Sequence, residues 1–283
     1  MTIRVVVDST CDIPEALLKR YNITAVPLYI NFGDRGYRDD GLAISRQEFY
    51  ERLPAANPMP TTSTPSIDAF KSVYEALAAE GATEILSIHM SISLSGTVDV
   101  ARVAAQQTTA VPVTVLDSRQ LSMGSGFLAL TAAEAVEQGF SLPEILPLLE
   151  EQISRTHTYA ALDTLEYLKR SGRMSTAVAG LGKLLRIIPL LRMYDGNPTA
   201  ERTRTRERAL QKVVDLFQEL APVEKVALVH ANALEKIAAL REAIAPLLPA
   251  GEIHVIELNP VIGANIGPGI VGFAAITEKK AEG

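Results

Sequence analysis

"TEILSIHMSISLSGTVDVARVAAQQ", residues 83–107, starts as an apolar run, passes through three serines, a glycine and a threonine, and ends with apolar residues at helical spacing. The first eight residues read as a buried strand and Gly96 to Gln107 as a helix. The serine-rich stretch is therefore a strand-to-helix junction. The same alternation extends outward on both sides. Upstream, "IRVVVDST" (3–10) is an apolar run closed by small polar residues, and "IPEALLKRY" (13–21) reads as a helix. Pro14 falls in its first turn, and Asp12 and Glu15 have the spacing of a capping box. "ITAVPLYI" (23–30) reads as the next strand, and Ser45 with Glu48 repeats the capping spacing before "FYERL" (49–53). "PSIDAFKSVYEALAAEG" (65–81) is a helix that stops at Gly81. Downstream come the strand "VPVTVLD" (111–117) and the helix "GSGFLALTAAEAVEQG" (124–139). Ser141 and Glu144 cap a further helix, "PEILPLLEEQIS" (143–154). Strands alternating with helices predict βαβ units and a parallel sheet covered on both faces.

Past residue 157 the pattern changes. "TYAALDTLEYLKRSGRMS" (158–175) and "IIPLLRMYDGNPTAERTRT" (187–205) hold longer strand candidates, with a hairpin turn at Asp195 to Pro198. Helices at 206–220 and 233–248 and strands at 225–231, 252–258 and 270–277 complete the chain. The expected architecture is α/β with two domains. Residues 1–155 form a parallel-sheet βαβ domain, and 156–283 an α+β domain on a mixed or antiparallel sheet.

Composition narrows the function classes. The chain has 283 residues, a formal charge of −6 and 47% hydrophobic residues without tryptophan. This length suits about two domains, and the acidic balance argues against a nucleic-acid or anionic-membrane surface. One cysteine, Cys11, excludes an intramolecular disulfide framework and Cys-rich zinc sites. No signal-peptide pattern opens the sequence, and no apolar stretch reaches the ~18 residues of a membrane span. A soluble, cytoplasmic protein without stable membrane insertion is expected.

Several residues could carry chemistry, each with a plainer reading beside it. Gly267-x-Gly269-x-x-Gly272 fits a dinucleotide fingerprint by letter, but it contains Pro268 and runs into a strand near the end of the chain instead of opening a helix. His89 and His230 end strand-like runs and are either crevice residues or buried structural histidines. Asp8 and Asp117 close strands, where ligands bind in open α/β sheets, and each could equally cap the next helix. Ser95, Gly96 and Thr97 offer hydroxyls and free backbone N–H groups at a helix start, which suits an anion or an ordinary N-cap. "TTSTPS" (61–66) holds more hydroxyls than one cap requires, and Arg173 in "RSGRMS" (170–175) is an anion ligand or an exposed turn residue. A nucleophilic serine needs a base within reach, and none is apparent. Binding of a carboxylate therefore ranks above covalent catalysis. The rival reading is a small-molecule kinase-like or hydrolytic enzyme using Asp8, Asp117 and the Ser95 junction.

Taken together, "VVVDSTCDIP", "VPLYINFGDRGYRDDG", "TTSTPS", "SLSGT", "VLDSRQLSMGSG", "TLEYLKRSGRMS" and "NPVIGANIGPGIVGF" resemble the DegV family of bacterial fatty-acid-binding proteins, from residue 3 to about 276. The resemblance implies a non-enzymatic lipid-binding protein with no cofactor. It would hold one long-chain fatty acid of the palmitate class (C16–C18), with the tail in an apolar tunnel and the carboxylate at the domain interface. It implies a partner as well, the catalytic subunit of an ATP-dependent fatty acid kinase, to which the acid is presented. Carried over by motif, Thr62 and Ser95 hold the carboxylate, with Ser63, Gly96 and Thr97 beside them and Arg173 at the exit face. The last motif departs from the family pattern. Where the family has glycine–threonine–histidine–threonine, this chain has Gly263, Ala264, Asn265 and Ile266. Asn265 at the ligand site cannot supply the charge of an imidazolium.

Overall fold

The computed structural model describes residues 2–173 and 187–279. Four strands form a parallel sheet in the order β2-β1-β6-β7, namely β1 (Ile3–Asp8), β2 (Thr24–Val26), β6 (Glu84–His89) and β7 (Val113–Asp117). The central pair is in register at Val6↔Ser87 and Val7↔Ile88. β1 is apolar on both faces because both are covered. On one side, α3 (Ile67–Ala79) and α4 (Thr97–Gln107) pack Phe70, Tyr74 and Ala101 against Val6 and Ile85.

On the other side lies α5 (Met123–Glu137), most of whose residues are buried. A helix apolar all round must be enclosed. α5 is enclosed because a second sheet covers its far side, so that Val5 and Leu86 share one core with Ala227, Val229 and Ala274. This six-stranded sheet has the order β10-β9-β8-β13-β11-β12 and is antiparallel except for the parallel β11–β12 edge. Its strands are β8 (Thr156–Ala161), β9 (Ile188–Tyr194), β10 (Asn197–Thr203), β11 (Val223–His230), β12 (His254–Glu257) and β13 (Val271–Thr277). α6 (Leu142–Arg155) leads directly into β8. The outer face is covered by α8 (Arg206–Leu220) and α9 (Leu234–Ile244), which bury Phe217 and Leu240 on Phe273 and Leu228. Asp195 and Gly196 take φ of 43° and 74°, which closes the predicted hairpin with Tyr194 opposite Asn197.

Four readings from sequence need correction. The run 23–30 is two strands. Pro27 ends the pairing of β2 with β1, and β3 (Tyr29–Phe32) turns into a separate antiparallel sheet, β4-β3-β5. Its other members are β4 (Arg35–Arg38) and β5 (Thr61–Ser63), so "TTSTPS" is in part a strand and only Ser66 caps α3, accepting from Ala69 N at 3.1 Å. The strand candidate at 158–175 stops at Ala161 and is followed by a short helix, α7 (Glu166–Arg170), while Met174 and Ser175 lie outside the described residues. Asp12 does not cap α1 (Glu15–Arg20), whose N-cap is Pro14 without a side-chain bond. Asp12 is instead a buried hub. It accepts from Ser122 Oγ at 2.7 Å and Asn259 N at 3.0 Å, and pairs with Arg46 Nη2 at 3.1 Å. Arg46 belongs to α2 (Arg46–Arg52) and also donates to the Glu257 carbonyl, and Tyr50 Oη donates to Leu258 O at 3.0 Å. These bonds fasten α10 (Pro260–Ile266), which follows β12, onto the N-terminal half of the molecule.

Candidate functional site: an apolar cavity with a hydroxyl rim

A cavity lies where the two large sheets and the small one meet, and six of the seven predicted site residues line it: Thr62, Ser63, Ser95, Gly96, Arg173 and Asn265. They come from β5, the β6–α4 loop, the residues after α7, and α10. Thr97 is the exception. It is fully buried one step behind the wall, with Oγ1 2.8 Å from Ser95 Oγ. The rest of the described lining is chiefly apolar and includes Leu28, Met90, Leu121, Leu191, Met193 and Ile262. Sequence reasoning did not find these residues, because alternating apolar positions on β8, β9 and α10 look like ordinary core.

The β6–α4 loop turns tightly, with Ser95 N donating to Ser91 O at 3.2 Å and Ser93 Oγ 2.9 Å from Ser91 Oγ. Gly96 is the N-cap of α4 and has no side chain to cap the helix. Thr97 N makes a long bond to Ser95 Oγ at 3.4 Å, and the N–H groups after it keep the positive end of the helix dipole available beside Ser95. Thr62 is held by pairing β5 with β3, opposite Ile30. Arg173 follows Gly172, whose φ is 75°, and stands exposed at the rim with Nη1 donating to Ser171 O at 2.8 Å. Asn265 spends its amide on its own helix, with Nδ2 donating to Val261 O at 2.7 Å. The Gly267–Gly269 turn bends the chain from α10 into β13. Gly267 has φ of 82°, and a Cβ there would stand 2.3 Å from the Tyr167 ring.

Neither strand-end aspartate lines this cavity. Asp8 is buried and accepts from Thr10 N at 3.0 Å, Met90 N at 3.0 Å and His89 Nδ1 at 3.2 Å. Burial opposes its charge, but the bonds from His89, Thr10 and Met90 hold its carboxyl below the usual value. His89 Nε2 in turn is 2.7 Å from Ser87 Oγ, which meets Tyr74 Oη at 2.8 Å. The order serine–histidine–aspartate imitates a catalytic triad, yet Ser87 and His89 are both 0% exposed, so no substrate reaches them. What this network does is position the loop, since Asp8 holds Met90 immediately before Ser91. Asp117 shapes a turn by accepting from Arg119 N at 2.9 Å. His230 is buried and accepts weakly from Ala233 N at 3.4 Å. Among the described residues no group of three His, Cys, Asp or Glu side chains could hold a metal ion, and no helix is long and apolar enough to cross a membrane.

This order of sheets has relatives. The model of the DegV family, described as uncharacterised proteins, matches residues 2–278. The chain belongs to the DegV family. A DegV domain-containing protein of Streptomyces coelicolor is 37% identical over 275 residues, which cover 95% of this chain and 96% of the relative. Among solved structures, a DegV family protein from Thermus thermophilus, described for its fatty acid binding, has a TM-score of 0.89 at 37% identity, covering 98% of this chain and all of its own. DegV of Bacillus subtilis, described as a fatty acid binding protein, has a TM-score of 0.88 at 32% identity with the same coverage. The fold is that of these DegV structures, a parallel sheet followed by a mixed one.

Proposed function

We propose that this protein binds one long-chain fatty acid, with the carboxylate at the rim among Thr62, Ser63, Ser95 and Gly96 and the tail in the apolar cavity. The observation that carries this reading is the grouping of the Thr62, Ser63 and Ser95 hydroxyls with a helix start whose N-cap is a glycine, at one end of a cavity that is otherwise chiefly apolar. Each methylene removed from water there contributes ~0.8 kcal/mol, and each donor to the charged head group roughly 1.5–3 kcal/mol. The described fatty acid binding of the Thermus thermophilus and Bacillus subtilis relatives supports it. On this reading residues 1–155 and 156–283 act as two domains with the ligand at their interface, and the protein is a lipid carrier of the cytoplasm, not an enzyme.

The finer proposal is that the carrier presents its acid to the catalytic subunit of an ATP-dependent fatty acid kinase, with Arg173 at the exit face. Its support is the exposure of Arg173 at the rim, where a partner could reach both the side chain and the head group. Native mass spectrometry of protein purified without added lipid tests the first proposal. An adduct with the mass of a C16–C18 acid is expected. Protein that stays bare and takes up no such acid in titration would overturn it.

A further inference from the structure

Away from the rim, the role of the Thr158 hydroxyl is determined by its neighbours. Gln120 is fully buried, and its Nε2 lies 2.8 Å from the Thr156 carbonyl oxygen. A carbonyl can only accept, so the amide nitrogen must face Thr156 and Oε1 must face Thr158. Thr158 Oγ1, 3.0 Å away, therefore donates its single proton to Gln120 Oε1. What remains on that oxygen is lone pairs. Thr158 lines the cavity with Leu121, Ala160, Leu191 and Met193 and is 7% exposed. Ser122, another lining residue, has likewise given its proton away, to Asp12 Oδ2 at 2.7 Å.

At the Thr158 and Ser122 hydroxyls the wall accepts and does not donate, the reverse of the rim. A carboxylate does not suit these two oxygens, because acceptor would face acceptor. A saturated tail fits sterically but lays methylenes against the Thr158 oxygen and leaves its accepting capacity unused. The group that completes the site is a donor carried on the chain. Thr158 stands three residues before the end of β8, about 10 Å of strand, while Arg173 follows the helix that leaves that end. A donor meeting Thr158 therefore belongs to the tail, remote from the carboxyl carbon.

We propose that the cavity is matched to a long-chain acid bearing a hydroxyl along its chain, which donates to Thr158 Oγ1. This rests on the fatty-acid reading above and extends it to a substrate class. The test is a titration of delipidated protein with hexadecanoic acid and with monohydroxyhexadecanoic acids differing in hydroxyl position, below their critical micelle concentrations. At least one isomer should bind the wild type as tightly as the parent acid or more tightly. Thr158→Val should lower that isomer-to-parent ratio roughly threefold to tenfold, and Thr158→Ser should retain it. Because the ratio is taken on one protein, a general loss of stability cancels. If every isomer binds the wild type more weakly than the parent, or if the ratio is unchanged in Thr158→Val, the hydroxyl class is wrong while the fatty-acid reading stands. Failure of the parent and all isomers to bind overturns both.

Discussion

Gly96 takes φ of −73°, a conformation open to every residue, and a Cβ built there meets nothing within 4 Å. The space it leaves is the space beside Ser95. Gly96→Leu should therefore fold with little change in stability, since neither strain nor a clash opposes it, and should lose acid binding by filling the rim. Thermal unfolding and a fatty-acid titration check the two halves, and unchanged affinity would move the carboxylate away from this loop. The hydroxyls are tested directly by Thr62→Ala with Ser95→Ala. Two donors to a charged group are worth roughly 1.5–3 kcal/mol each, and neighbouring effects are not additive, so the double variant should lose about one to three decades of affinity. The readout is isothermal titration of delipidated protein. Affinity equal to wild type would remove both residues from the site.

The elements differ in how plainly the sequence announces them. β1, β6 and β7 are legible because parallel strands covered on both faces are uniformly apolar, and the hairpin at Asp195 because its two residues tolerate positive φ. The β4-β3-β5 sheet is not legible, since its strands have three or four residues and β5 consists of hydroxyl side chains. The clusters around Thr62 and Ser95 are legible as dense hydroxyls, whereas Asp12 reads as a cap from its spacing to Glu15, since its bond to Asn259 spans 247 residues. Thr158 carries no sign in the sequence that sets it apart from any other strand threonine. Short elements that depend on distant partners also have the least tolerance. Gly267 ends α10 at φ 82°, against the Tyr167 ring of α7. Gly267→Ala should cost ~1–3 kcal/mol from the backbone alone, and more from displacing Tyr167. Acid binding should fall with it, because Asn265 and Ile266 immediately precede this turn. Denaturant unfolding measures the loss, and wild-type stability would show that the turn can relax.

For the molecule as a whole, pH should act through buried groups. His157 stacks on Tyr194 at 4.6 Å with Nδ1 buried and without a partner among the described residues, and burial, assisted by Arg192, lowers its pKa from 6.5 to about 4. The folded protein thus refuses a proton that the unfolded chain takes up below pH 6.5. This group's contribution to stability is complete above pH 6.5 and is lost as pH falls toward 4. Asp39, pushed up to about 7 by burial, works in the opposite sense over much of the same range. Comparing wild type with His157→Phe cancels the Asp39 effect. The wild type should lose more of its thermal midpoint than the variant between pH 6.5 and 4, and parallel profiles would show that His157 does not titrate abnormally. Fatty-acid binding should also raise the midpoint with ligand concentration, as any ligand of the folded state does, because it adds ~4 kcal/mol to the unfolding free energy at a thousand times the dissociation constant.

β13 lies in the interior of the six-stranded sheet, between β8 and β11, although every other strand of that sheet precedes it in sequence. A ribosome delivers the chain in the opposite order of need. When β8 to β12 have emerged, the sheet still has a gap one strand wide, and α10, which α2 and the small sheet require as a packing partner, has only just left the exit tunnel. The nascent protein therefore stays open along its middle until residue 277 is free, some 120 residues after β8 is made. Chains stalled before Val271 should remain cleavable by protease across β8 and β11, and become resistant in one step once β13 clears the tunnel. Late closure of this kind makes the interval between synthesis of β8 and of β13 the period when the unfilled cavity and its flanking strand edges are exposed to chaperones.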